Sequence, residues 1–316
     1  MPKLTRDDTL SCSQLPALMG ENPWATPNDV MQALMDGAMG KPRQETPNEA
    51  MEWGNRVESA ILSKMAEALG ATDWFSPTEP FYYGQILGAS LDGLCTMDEP
   101  LTFRNGDSPK IYVMTRSGEI TISGTGCLEA KNTKAVGSDE PALYRGPLQL
   151  QGQMMCADMQ WGAIGTLHQG HDFRLYLYDR DHELTAYIEM LAKDVASRMQ
   201  TFMETGQAEW YDIKSNADAL RAWPEAKHDK MVDITPFEDD VSVIVDAKAQ
   251  IALLERSISD AELRIKQAME NAETGETQQF IVRWPMRNYK ASPEKIVPAK
   301  DAYSVRQQTL VIKEKK

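Results

Sequence analysis

The sequence predicts an α/β protein with a central mixed β-sheet flanked by helices, followed by a C-terminal helix and short strands. Two observations carry the prediction. Periodic segments alternate along the chain in the order helix, mixed strands, helix, strands, helix. Within the strands, the run GCLEAKNT at 126–133 holds Glu129 and Lys131 two residues apart among small and apolar neighbours, as on a buried strand.

The elements follow in order. LSCSQLPALMG at 10–20 has apolar residues near helical spacing, with Ser11 or Ser13 as cap and Gly20 as terminator. A proline-rich loop, ENPWATPND, comes next. From about Pro47 to Leu69 a helix places Met51, Val57, Ile61, Met65 and Leu69 on one face, with Glu58 beside that stripe. Residues 79–97 read as two strands around a turn, and 98–110 as a polar loop. KIYVMTRSGEITISG reads as a hairpin about Arg116-Ser117-Gly118, with CLEAK as a further strand. Pro141 to Gln160 is expected helical. WGAIGTLHQG and DFRLYLYDRD form two strands, and 182–204 is an amphipathic helix through Leu184, Ile188, Leu191, Val195, Met199 and Phe202.

Residues 207–235 are irregular, which places one domain at 1–235 and a C-terminal appendage at 236–316. In the appendage Ile244, Ile251, Ile258 and Ile265 recur every seven residues, with Ala247, Leu254, Ala261 and Ala268 between them. Such a seam serves either to pair with another helix or to lie on its own domain. Short β-like runs, QQFIVRW and TLVIKEKK, complete the chain.

The composition is that of an ordinary globular protein: 316 residues, 42% apolar and 25% charged. No run of about 18 apolar residues suggests a membrane span, and the N-terminus lacks the apolar stretch of a secretory signal. Cys12, Cys95, Cys127 and Cys156 stand far apart with no CxxC pair, which argues against a zinc ribbon or iron–sulfur cluster and suits a reducing cytoplasm. No phosphate-binding glycine motif points to ATP. His168 and His171 read as structural. For Trp24 and Trp53, buried packing is preferred over contact with DNA bases. The net charge of −14 repels nucleic acid at long range, although Arg283 to Lys316 contains nine basic and three acidic residues.

The chemistry lies in the strands. Asp92, in GASLDGLC, and Glu129, in CLEAK, are carboxylates in apolar surroundings, where desolvation without a partner is costly. Two such charges at ~4 Å repel by roughly 4 kcal/mol at an effective dielectric of 20. A divalent cation reverses that sign, and hard oxygen donors suit Mg²⁺ or Mn²⁺. Lys131 shares the face of Glu129, where its ammonium can orient water or stabilise a phosphoryl oxygen.

An acid on an earlier strand followed by Glu-x-Lys is the pattern of the PD-(D/E)XK nuclease superfamily. SCSQLPALMGENPW, EWGNRVESAI, LDGL with LEAK, and LQLQGQMMCADMQW together resemble the YqaJ-type viral recombinase and phage lambda exonuclease family, over about residues 6–180. The resemblance implies that Asp92, Glu129 and the Ala130 carbonyl bind a first metal and that Glu58 binds or shapes a second. It makes Lys131 the activator of the attacking water, with Gln149 placing it; Gln151 and Gln153 are close competitors for that part. Arg6, Ser13 and Ser90 would hold the 5′-phosphate of a DNA end. The implied activity is a two-ion 5′-to-3′ exonuclease, dependent on Mg²⁺ with Mn²⁺ as an alternative, on linear double-stranded DNA that leaves 3′ overhangs for phage-type recombination. A ring trimer, a single-strand annealing partner and residence in the bacterial cytoplasm are implied with it. The interval from Asp92 to Glu129 is longer than in the shorter family members, so 98–126 is expected as a surface elaboration touching DNA or a neighbouring subunit. Two other readings compete: an endonuclease or nickase on the same fold, and a non-catalytic scaffold that binds DNA ends.

Overall fold

A computed structural model describes residues 5–41, 49–71, 73–225 and 230–286. The chain divides into two compact units, Met1–Lys214 and Ser215–Lys316.

In the first unit, Ser11 opens a 3-10 turn, Cys12–Gln14, by donating its backbone N–H to Gln14 Oε1 at 2.9 Å. The turn continues into α1 (Leu15–Leu18), and Gly20 ends the segment at φ +77°. Thr26 caps α2 (Pro27–Ala38). Helix α3 (Glu49–Leu69) buries Ile61, Met65 and Leu69 as its spacing requires; the expected start at Pro47 lies outside the described residues. The strands are β1 (Trp74–Phe75), β2 (Phe81–Tyr83), β3 (Leu87–Ala89), β4 (Gly93–Arg104), β5 (Ile111–Val113) and β6 (Glu119–Thr133). Then come a 3-10 turn at Leu143–Arg145, α4 (Pro147–Ala157), β7 (Trp161–His168), β8 (Asp172–Asp179) and α5 (His182–Thr205). Asp181 caps α5 by accepting from the backbone N–H groups of Glu183 and Leu184, each at 3.0 Å.

Six strands form one sheet in the order β1-β4-β6-β7-β8-β5. β6 runs parallel to β7 and β5 parallel to β8, and the remaining pairs are antiparallel, which makes the mixed sheet expected from the sequence. β2 and β3 form a separate hairpin. One apolar cluster packs α3 against one face through Leu128 and Ala163; the other packs α1, α2, α4 and α5 against the opposite face through Cys127 and Ile164. β6 is therefore covered on both sides, and residues Gly126 to Glu129 are buried without a break.

The segment 98–126 corrects the sequence reading. There is no hairpin between 111 and 122, and no polar loop begins at 98. β4 continues to Arg104 and pairs with the first half of β6, from Met97↔Gly124 through Leu101↔Ile122 to Arg104↔Glu119. The register shift between Met97 and Leu101 absorbs Pro100, which has no N–H to offer the ladder. Thr96 with Thr125, and Thr102 with Thr121, are hydrogen-bonded pairs on its exposed face. CLEAK is thus the second half of one long strand. Ile111–Val113 instead closes the far edge of the sheet against β8, where Tyr112 stacks on Tyr176 with ring centroids 5.4 Å apart.

The described part of the second unit contains α6 (Asn216–Ala222), α7 (Glu238–Met269) and a hairpin of β9 (Thr274–Glu276) and β10 (Ile281–Arg283). Ile251, Leu254 and Ile258 of the heptad seam on α7 are exposed. The run TLVIKEKK, and the basic segment beyond Met286, lie outside the described residues.

Candidate active site

The period of two on β6 sends Cys127, Glu129 and Lys131 to the α4 face, and Leu128 and Ala130 to the α3 face. Glu129 stands where the apolar core ends: its side chain is 1% exposed, and that of Lys131 is 33% exposed. The ammonium of Lys131 forms an ion pair with Glu129 Oε1 and donates to Gln149 Oε1 at 3.2 Å. The second Glu129 oxygen, Oε2, accepts from Gln153 Nε2 at 2.6 Å, and the same amide lies 3.3 Å from the Ser90 carbonyl.

Asp92 sits immediately before β4. The β4–β6 ladder begins at Gly93↔Leu128, so the N–H of Ala130 lies just past its end. The Asp92 carboxylate fills that place, with Oδ2 accepting from Ala130 N–H at 2.9 Å. Ser76 Oγ donates to the Asp92 carbonyl at 2.7 Å. On the other side of the site α3 carries Glu58. It approaches β7 closely because Gly165 has no side chain: a Cβ there would lie 2.4 Å from Met65 Sδ. Gly152 does the same for α4, since a Cβ would lie 2.6 Å from Leu15 Cδ1 and 2.9 Å from Cys12 Sγ. That contact sets the turn carrying Ser11 and Ser13 against the helix carrying the glutamines.

These elements enclose a cavity of about 450 Å³. Glu58, Ser13, Ser90, Asp92, Glu129, Ala130, Lys131 and Gln149, all candidates from the sequence, line it. Arg6 is not brought there: its guanidinium is exposed and pairs with Asp8 at 2.6 Å, and it borders a different depression. Thr5, Ser11, Asn55 and Asn132 also line the cavity and were missed, since a single small polar residue carries no periodic signal. The three glutamines of α4 separate by geometry. Gln149 and Gln153, one helical turn apart, face the strand acids. Gln151 turns away, donating to the Asp179 carbonyl and accepting from Asp181 N–H, each at 2.9 Å. Gln153 is fully buried, and its Oε1 has no partner among the described residues. The motif tryptophan, Trp161, is core and donates to the Ser123 carbonyl at 2.9 Å. His168 is structural as expected, buried between the Ala135 carbonyl and Tyr176.

The electrostatics are those of negative charge held out of water. Burial, and then the charge of Glu129, push the Asp92 carboxyl up to about 8. Burial, with Glu129 adding to it, also raises Glu58. Burial opposes the ammonium of Lys131, yet Glu129 and Asp92 outweigh it and hold the amine above its ordinary value. The donor set of Asp92, Glu129, Glu58 and the Ala130 carbonyl is all oxygen, and its excess negative charge fits a hard divalent cation. Among the described residues no three acid, histidine or cysteine side chains already stand together as a formed ligand set.

A family model for the YqaJ-like viral recombinase domain matches residues 3–160. Solved structures resemble the chain at low identity. The alkaline exonuclease LHK-Exo of Laribacter hongkongensis is 18% identical over 63% of this chain and 91% of its own, with a TM-score of 0.46. The same enzyme in complex with dAMP gives 19% and 0.45. A phage-related exonuclease from Haemophilus somnus 129PT is 13% identical over 63% of this chain and 96% of its own, with a TM-score of 0.43. No curated protein sequence matches.

Proposed function

The chain belongs to the YqaJ-like viral recombinase domain family, and on that premise we propose that it is a metal-dependent deoxyribonuclease that degrades one strand of linear double-stranded DNA from its 5′ end. The 3′ overhang left behind would feed phage-type homologous recombination, with a single-strand annealing protein as partner and a homo-oligomeric ring as the working assembly. The cytoplasm of a bacterial host is the corresponding location. The observation that carries the reading is the link from Lys131 to both Glu129 and Gln149 in one cavity with Asp92 and Glu58.

Asp92, Glu129 and the Ala130 carbonyl would hold a first Mg²⁺ or Mn²⁺, with Glu58 toward a second. Bound there, the ions would supply charge neutralisation at the phosphate and the leaving oxygen. The protein's own groups do the rest. Lys131 keeps its proton while the field of Glu129 and Asp92 is uncompensated. Neutralising those carboxylates would remove that field, burial would then favour release of the ammonium proton to solvent, and the neutral amine could orient the attacking water and take its proton. Gln149 Oε1 fixes the ammonium at 3.2 Å and offers the water a second anchor. Ser13 and Ser90 border the cavity where a terminal phosphate would lie, and Arg6 joins them only by leaving Asp8.

The test is digestion of linear and circular duplex DNA with Mg²⁺, the linear substrate labelled at a phosphorylated 5′ end, with EDTA and Lys131→Ala as controls. Loss of the linear DNA from that end, with circles intact and both controls inactive, is the expected result. Cut circles would make the protein an endonuclease or nickase. Tight binding of ends with no cleavage in Mg²⁺ or Mn²⁺ would make it a scaffold.

A further inference from the structure

Beyond Lys131 the site cavity gives way to a second one of about 800 Å³, which shares Lys131 and Asn132 with it. Its rim is built from Trp24, Tyr144 and Arg145. Trp24 is 75% exposed, so the packing expected of it from the sequence does not occur. Its loop is tied by the Trp24 N–H donating to Asn22 Oδ1 at 2.9 Å. The indole meets Tyr144 edge to face, with centroids 5.3 Å apart and planes at 85°, a contact that fixes the ring and leaves most of it open. The Arg145 guanidinium lies 5.4 Å from the Tyr144 ring centre and is anchored by donating to Thr133 Oγ1 at 2.5 Å. Thr133 ends β6, the strand that carries Lys131.

We propose that this second cavity is a nucleobase pocket, in which Trp24 and Tyr144 stack an unpaired base of the DNA strand next to the phosphodiester cleaved at the neighbouring site. The proposal rests on the DNA reading of the neighbouring site. Three features favour a nucleotide over an apolar partner. The cavity adjoins the site cavity, sharing Lys131 and Asn132 with it, so a strand that leaves one passes beside the other. It combines π-faces with a cation, the pairing that binds single strands without sequence preference. Its volume is that of cavities taking small organic ligands rather than of an extended flat interface. The depression beside another exposed indole, Trp53, shares Asn132 and Thr133 but not Lys131, and so does not adjoin the site at the residue that acts there.

The experiment uses the full chain in EDTA, where binding is read without cleavage. One linear duplex has ordinary ends; a second is abasic at its terminal nucleotides and otherwise identical. Wild-type protein should bind the first about ten- to a hundred-fold more tightly, the range that alanine substitution of a stacking aromatic gives. Trp24→Ala, a change at an exposed position, should bind both duplexes equally and at the abasic level. The Trp24 share of the indole fluorescence, taken as wild type minus variant, should be quenched by the first duplex only. Undiminished discrimination in Trp24→Ala overturns the proposal. So does quenching of Trp24 on concentrating the protein without DNA, which would make the surface a contact between copies. Cleavage by the wild type in Mg²⁺ is scored separately. A protein that cleaves but shows no discrimination dependent on Trp24 loses only the pocket. One that discriminates through Trp24 but never cleaves loses only the nuclease.

Discussion

Replacing Asp92 by Asn removes a buried charge and keeps the acceptor that Ala130 N–H uses, because the Asn carbonyl can take the place of Oδ2. The folded protein holds the Asp92 proton up to about 8, through burial and the charge of Glu129. The unfolded chain loses it near an ordinary aspartate value of about 3.9. The folded state therefore binds a proton that the unfolded state has lost, and Asp92 subtracts stability progressively as pH rises from about 4 towards 8, with no further loss above that. Between pH 5 and 8 three pKa units at roughly 1.4 kcal/mol each come to about 4 kcal/mol. For a unit of this size that corresponds to roughly 8–16 °C of melting temperature. The assay is thermal unfolding of wild type and Asp92→Asn in EDTA near pH 5, 7 and 9, read as the difference between the two so that other titrating groups cancel. The variant should gain steadily on the wild type as pH rises. Adding Mg²⁺ near pH 8 should stabilise the wild type and not the variant, which should also be inactive. A difference that stays constant across pH would refute the burial argument, and equal stabilisation of both proteins by Mg²⁺ would remove Asp92 from the ligand set.

Gln153→Leu takes away the amide that donates to Glu129 Oε2 and should lower kcat by about 10- to 100-fold, on the scale of a lost hydrogen bond to a charged group, with KM for DNA little changed; steady-state kinetics with a melting control reads it. Gln151→Leu breaks both links to β8 and the start of α5, and should cost about 1–3 kcal/mol of stability in denaturant titration while leaving kcat near wild type. Gly152→Ala forces α4 away from Leu15 and Cys12, so both stability, by about 1–3 kcal/mol, and activity should fall. Lys131→Ala should lose at least about 10²–10³ in rate, as for removal of one preorganised charge donor, with DNA binding in EDTA largely retained.

Much of the site was legible in the chain because it rests on local periodicity. A period of two puts Glu129 and Lys131 on one face of a strand whoever its neighbours are. The spacing of Ile61, Met65 and Leu69 likewise turns Glu58 toward the sheet, and an acid among Leu91, Gly93 and Leu94 announces a buried carboxylate. What rests on partners distant in sequence was not legible. Ile111–Val113 and Glu119–Ser123 look equally fit to pair with each other, and only the free edge of β8 and the length of β4 decide otherwise. Three glutamines alternate along α4 with equal local credentials. Helix geometry alone pairs Gln149 with Gln153, but the packing of Gly152 against Leu15 and Cys12 decides that this pair, rather than Gln151, meets Lys131 and Glu129. The exposure of Trp24 and the withdrawal of Arg6 onto Asp8 are likewise tertiary outcomes. Periodicity records which side of an element is apolar. Which neighbour covers that side, and which polar group it leaves uncovered, depends on how the sheet and helices close around one another.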